Sequence, residues 1–126
     1  MVLAALAVLG SSGLALASVG DYRCTDPGRV YLGNPRLIRK PAVISGDEVY
    51  ARIPEYQQIR DEGLSDRDVR YHFLMKKASE RFAKAVKAMA REHGHDVVAE
   101  LGSIEILKED APPPAVRTQQ VLDLLG

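Results

Sequence analysis

His93-Gly94-His95-Asp96, with Glu92 beside it, is the densest group of ligating side chains in the chain. Two imidazoles and a carboxylate are suitable zinc ligands. Their spacing does not favour a metal centre. Gly94 ends a helical pattern between the two histidines, so the sequence does not fix the relative direction of the rings. No second spaced pair of ligands follows, and the single cysteine, Cys24, is distant in the chain. A polar helix C-terminus accounts for the same residues, with His93 at the negative end of the helix dipole. The expectation is therefore no metal site. An exported metal-binding or small enzymatic domain centred on His93, His95 and Asp96 is one alternative reading, and a structural envelope protein without clients is another.

Covalent catalysis needs a nucleophile, a base and an orienting group within reach of one another. His72 is a base without a signature partner, and Ser45 and Ser79 lack an elbow motif around them. Asp66, Asp68, Glu55 and Glu62 could pair in space, but acidic residues in a first helical turn are the ordinary case. The glycines form no phosphate-cradling pattern. No catalytic residue and no cofactor site is expected, and the chain is predicted not to be an enzyme.

The elements around these residues read as follows. Pro41 introduces a short β-type run, Ala42-Val43-Ile44, which Ser45-Gly46-Asp47 ends. Asp47 is placed to cap a helix over 48–52, and Pro54 stops it. Residues 55–61 form further helical turns ended by Gly63. Ser65 is a good N-cap, and from there to His93 no Gly or Pro intervenes. Leu74, Ala78, Phe82, Ala85, Val86, Met89 and Ala90 recur at helical spacing. One long amphipathic helix is predicted over 65–92, with Phe82 and Val86 buried. Val97-Val98 is a strand candidate, and Ile104 to Leu107 alternates as a second strand or hairpin partner. Pro112, Pro113 and Pro114 stiffen a loop, and Thr118 caps a last helix over 119–125. Strands and helices in this order give an α+β domain.

Residues 1–17 hold no charged residue and close on Ala15-Leu16-Ala17, a small-x-small pattern that signal peptidase accepts. The run is short for a membrane span, which needs about 20 residues. A cleaved export signal is predicted, with Ser18 as the mature N-terminus and a periplasmic or otherwise extracytoplasmic location. The organisation expected is a signal at 1–17, an irregular segment at 18–41 with a strand pairing near 29–32, and one α+β domain at 42–126. No later stretch is apolar enough to span a bilayer. The chain has 17 basic and 17 acidic residues. This balance gives no overall reason to seek nucleic acid or anionic lipid, and predicts binding that depends little on salt.

Three segments, in order, resemble the periplasmic chaperone family Skp/OmpH. Ala42-Val43-Ile44, followed by residues 47–56 with Pro54-Glu55-Tyr56, looks like the family's opening strand and short helix. Residues 82–90, followed by Gly94-His95-Asp96-Val97-Val98, resemble its helix returning into a strand. Residues 116–122 are similar to its terminal helix, although the usual Asp before Thr118 is replaced. The resemblance covers residues 42–126. It implies a homo-oligomer, a trimer in the family, that binds unfolded outer-membrane proteins. The strands around Val43 and Val97 and the last helix are the surfaces expected to assemble it. The family's long helical arms are absent. Residues 57–92 hold everything between the first helix and the returning strand, and a 28-residue helix at 65–92 reaches only about 42 Å. The expectation is a short, arm-less member that binds proteins and does not catalyse.

Overall fold

A computed structural model describes residues 20–125. The predicted export signal and its cleavage point lie outside the described residues. The fold is α+β. In chain order the elements are β1 (Tyr22–Cys24), a 3-10 turn (Pro27–Arg29), β2 (Val30–Leu32), β3 (Pro41–Ile44), α1 (Gly46–Ala51), α2 (Pro54–Glu62), α3 (Val69–His93), β4 (Val97–Glu100), β5 (Ile104–Ile106), β6 (Ala115–Val116) and α4 (Thr118–Asp123).

At the centre lie β3 and β4, paired in parallel from Pro41 opposite Val97 to Ile44 opposite Glu100. Every residue of β3 is buried. Pro41 sits at the first position of its strand, where a missing N–H costs no ladder bond. β2 flanks β4 in antiparallel pairing with a register shift between Val30 and Leu32, and β6 flanks β3 in parallel, giving the order β2-β4-β3-β6. A largely parallel sheet needs cover on both faces. On one face Ala42, Ile44 and Val98 pack under α1, α3 and α4 with Val49, Phe82, Val86, Met89 and Val121. On the other, Val97 packs with Tyr22 and Ile38.

β2 supplies the strand pairing expected near 29–32, and the second cover adds a strand that the sequence reading did not place. β1 pairs antiparallel with β5, Tyr22 opposite Ile106 and Cys24 opposite Ile104. Ile104-Glu105-Ile106 therefore forms a strand, but not as a hairpin partner of β4. Gly102, at φ +88°, turns the chain away to meet β1. Tyr22 donates its hydroxyl hydrogen to the carbonyl of Pro112 at 2.6 Å, which fastens the proline loop to the same ribbon. Val43 and Val97 are buried within one chain, and β3 and β4 each have a strand on either side. Their edges are occupied within the chain, where the resemblance implied that they assemble copies.

Three caps differ from expectation. Ser65 does not open α3, because residues 65–68 close a turn on themselves: Ser65 N–H donates to the Asp68 carboxylate at 2.9 Å, and Asp68 N–H returns a bond to the Ser65 carbonyl at 2.9 Å. Local side-chain bonds of this kind compete with helix, so α3 begins at Val69. Ser45, not Asp47, caps α1, accepting from Glu48 N–H at 3.4 Å. The Thr118 hydroxyl accepts from Ser45 N–H at 2.9 Å, and so joins α4 to the end of β3 rather than capping its own helix. Elsewhere the signals hold. Pro54 opens α2, and Gly63 and Gly94 end α2 and α3 in the left-handed region.

α2 runs beside the first half of α3, and two arginines on α3 hold it there. Arg70 meets Glu62 through two 3.0 Å bonds, and Arg81 Nε lies 2.8 Å from a Glu55 carboxylate oxygen. Phe82, which faces the sheet, stacks on Tyr50 at 4.6 Å between centroids and meets Tyr31 edge-on at 5.0 Å. Replacing a buried Phe by Ala costs about 3–5 kcal/mol. Phe82→Ala is expected to lower the denaturation free energy by that amount, whereas Phe73→Ala, at 59% exposed, should change it by no more than about 0.5 kcal/mol. Urea titration of both variants checks the ranking, and the reverse order would mean that the faces of α3 are misassigned.

Candidate functional site

His95 and Asp96 stand where α3 returns to the sheet. Gly94 takes φ +75°, and His95 N–H bonds back to the carbonyl of Ala90 at 2.8 Å. The turn aims the imidazole inward, where it is 8% exposed. Nε2 lies 3.1 Å from Arg117 Nε, and Nδ1 lies 3.1 Å from the carbonyl of Lys40. A guanidinium can only donate, so Nε2 is the bare nitrogen and Nδ1 carries the proton, which it donates to Lys40. The Asp96 carboxylate accepts two backbone bonds, from Arg39 N–H at 2.9 Å and Lys40 N–H at 2.8 Å. Both residues are thus fasteners between the α3–β4 turn and the segment that leads into β3.

Burial pushes the His95 pKa below the usual histidine value, and the nearby charges of Arg117, Lys40 and His93 lower it further, against the opposing bond to the Lys40 carbonyl. The folded chain therefore holds fewer protons at this ring than the unfolded chain does once the pH falls below about 6.5. The stabilisation is complete above that value and is lost as pH drops through the lowered folded pKa.

A second polar node lies at the other end of β4. One oxygen of Glu100 accepts from Tyr31 Oη–H at 2.5 Å and from Gly46 N–H at 2.9 Å. The other faces Arg29 at 3.9 Å. The Tyr31 phenol is raised well above its ordinary range by burial and by its bond to the carboxylate, so it remains a donor. A Cβ on residue 46 would stand 2.4 Å from the Tyr31 hydroxyl, which explains glycine there. The sequence reading missed this node. Glu100 closing an apolar strand was its only visible signal.

The remaining candidates are dispersed. His72 Nε2 lies 2.6 Å from the Asp66 carbonyl, and the Ser79 hydroxyl accepts from Tyr50 at 3.3 Å. Ser45 caps α1, Glu55 and Glu62 pair with arginines, and Cys24 is half-buried on the ribbon. His93 stands 6.4 Å from the His95 ring, centroid to centroid, with Glu92 3.6 Å from its Nε2. Among the described residues no three His, Cys, Asp or Glu side chains converge as metal ligands.

What the fold does assemble is charge. α3 holds seven basic residues, Arg70, Lys76, Lys77, Arg81, Lys84, Lys87 and Arg91, against two acidic ones, Glu80 and Glu92. Overall neutrality thus conceals a helix of formal charge +5. Arg70 and Arg81 are spent on α2, while Lys76, Lys77, Lys84, Lys87 and Arg91 form no ion pair with a described residue and lie on the solvent side. Val69 and Phe73 are exposed at the start of the same face, 87% and 59% respectively, with Lys77 Nζ 5.4 Å from the Phe73 ring centre. Beside it, Lys77, Glu80, Arg81, Lys84 and Ala85 line a groove of about 440 Å³ together with Leu124 and Leu125.

No family model, curated protein or solved structure matches the chain.

The Glu100 node generates a double-mutant test. Tyr31→Phe removes a bond to a charged acceptor and is expected to cost about 1.5–3 kcal/mol. Gly46→Ala should also destabilise, but by less in the Tyr31→Phe background, because the hydroxyl it strikes is gone. Additive losses in a urea-denaturation cycle would show that the two residues do not meet.

Proposed function

We propose that this chain is an exported, non-catalytic protein-binding module of OmpH-like design, working outside the cytoplasm on unfolded or envelope proteins. The observation that carries this reading is the outer face of α3, a row of cations with no ion pair to a described residue, with exposed Val69 and Phe73 at one end. Exposed apolar side chains beside positive charge suit a polypeptide whose own apolar and acidic groups are accessible.

Two further observations support it. The three segments that resemble the chaperone family lie on β3 and α1, on the α3–β4 return, and on β6 and α4. Though far apart in sequence, their strands are neighbours in one sheet. The polar residues with spacing for chemistry are engaged in holding the fold. Among the described residues no helix is long and apolar enough to cross a membrane. Assembly into a homo-oligomer, a trimer by the family pattern, would use the open edges at β2 and β6, where Val116 is 62% exposed.

α3 is about 37 Å long and α2 about 13 Å at 1.5 Å per residue. That hairpin is too short to enclose a client, so affinity is expected in the micromolar range, about −8 kcal/mol. Salt behaviour now differs from the expectation based on net charge, because the charges are segregated. The test is suppression of aggregation of an acidic unfolded outer-membrane protein by the 18–126 chain. Suppression is expected to fall several-fold between 0.1 and about 1 M salt, as the screening length shrinks from about 10 to 3 Å. Lys84→Glu/Lys87→Glu should weaken it likewise without lowering the melting temperature. No suppression at any concentration would defeat the reading, and suppression indifferent to both changes would remove α3 as the surface.

A further inference from the structure

A cleft of about 470 Å³ opens between β1 and the loop that leads from β2 to β3. It lies on the ribbon side of the sheet, away from the outer face of α3. Tyr22, Pro27, Pro35 and Leu107 give it a mostly apolar lining. Two arginines line it as well. Arg23 is paired with Glu105 across the β1–β5 ribbon, whereas Arg36 has no ion pair with a described residue. We propose that this cleft binds a small monoanion with an apolar body, an aromatic or medium-chain carboxylic acid, whose carboxylate is held by Arg36.

Three properties point to that chemistry. A mostly apolar concavity of this size with very few polar groups is the usual form of a small-molecule site. One uncommitted guanidinium supplies one positive charge in a fork that matches a carboxylate through two parallel bonds. A dianion such as a phosphate monoester would be only half compensated there, and a neutral ligand would leave the guanidinium unused. The walls are also set in advance, which lowers the entropy lost on binding. Asn34 turns the loop, its side chain accepting from Arg36 N–H at 2.9 Å and its carbonyl from Leu37 N–H at 3.0 Å. Gly33, at φ +92°, packs so closely on the Asp96 carbonyl that a Cβ would stand 2.2 Å from it. On the opposite wall the Asp26 carboxylate accepts from Gly28 N–H at 3.1 Å and fixes the turn that carries Pro27.

Cys24 lines the cleft and is the chain's one thiol, which gives the site an internal reporter. The test is the rate of Cys24 alkylation by iodoacetamide in the 18–126 chain, with 4-phenylbutyrate or the uncharged 4-phenylbutanamide added. The acid is expected to slow alkylation saturably with a sub-millimolar midpoint, and the amide to need at least tenfold more. Arg36→Ala should bring the acid to the amide's midpoint, with an unchanged melting temperature showing that the fold is intact. Arg36→Lys, which keeps the charge and loses the fork, should fall between. A peptide ending in a phenylalanine carboxylate serves as a further arm: protection at lower concentration than phenylbutyrate would identify a chain end as the natural source of the carboxylate, and the converse a free acid. Absence of saturable protection, equal protection by acid and amide, or an acid midpoint unmoved in Arg36→Ala would each overturn the proposal.

Discussion

The arrangement depends on the two side chains that bind the end of α3 to the start of β3. A parallel pair of strands has no hairpin to set its register, because its two members meet only after a long crossover. Here the crossover is three helices, and the strands join over four residue pairs. Asp96 receives the amides of Arg39 and Lys40, and His95 donates to the carbonyl of Lys40. These bonds fix one end of the pair immediately before Pro41 faces Val97. At the other end Glu100 receives the amide of Gly46 and the phenol of Tyr31. The sheet is thus pinned at both ends by acidic residues, Asp96 just before β4 and Glu100 at its end, and α1, α3 and the β1–β5 ribbon are laid on it.

This explains why residues with the composition of a reactive site do other work. Buried polar groups need partners, and a short parallel sheet with both faces covered has many such groups at its strand ends. Histidine at the α3–β4 turn meets the need by accepting from Arg117 on one ring nitrogen and donating on the other. Arg117 in turn gives its N–H to the carbonyl of Val43, so the same residue ties β6 and α4 to the central strand. With these polar groups committed to the fold, the surfaces proposed for recognition are the cationic outer side of α3 and the cleft beside β1.

The helical half of the fold was legible because its signals are local. Pro54, Gly63 and Gly94 mark boundaries by backbone sterics alone, and the buried side of α3 follows from spacing from Leu74 to Ala90. Caps were less legible, since Ser45, Asp47, Ser65 and Thr118 are all chemically able to cap. Which does so depends on neighbours such as the Ser45 amide that occupies the Thr118 hydroxyl. β1 was missed because three residues with one buried side chain carry no periodicity, and its pairing with β5 spans some eighty residues. The polar node at Glu100 is likewise a tertiary fact, joining residues 31, 46 and 100. That Lys76, Lys77, Lys84, Lys87 and Arg91 fall largely off the apolar side of α3 is legible from their spacing, but counting charge over the whole chain hides what that clustering means for salt dependence.

The central claim is that His95 and Asp96 are fasteners of the fold. Nitrogen-15 chemical shifts of the His95 ring, followed from pH 8 to 4, test it directly, since they report tautomer and protonation together. The account predicts a protonated Nδ1, a bare Nε2 and a midpoint below the usual histidine value of about 6.5, with the amides of Arg39 and Lys40 shifting in step as the ring charges. A ring with mixed tautomers and an ordinary midpoint, or one that titrates without disturbing residues 39 and 40, would contradict it.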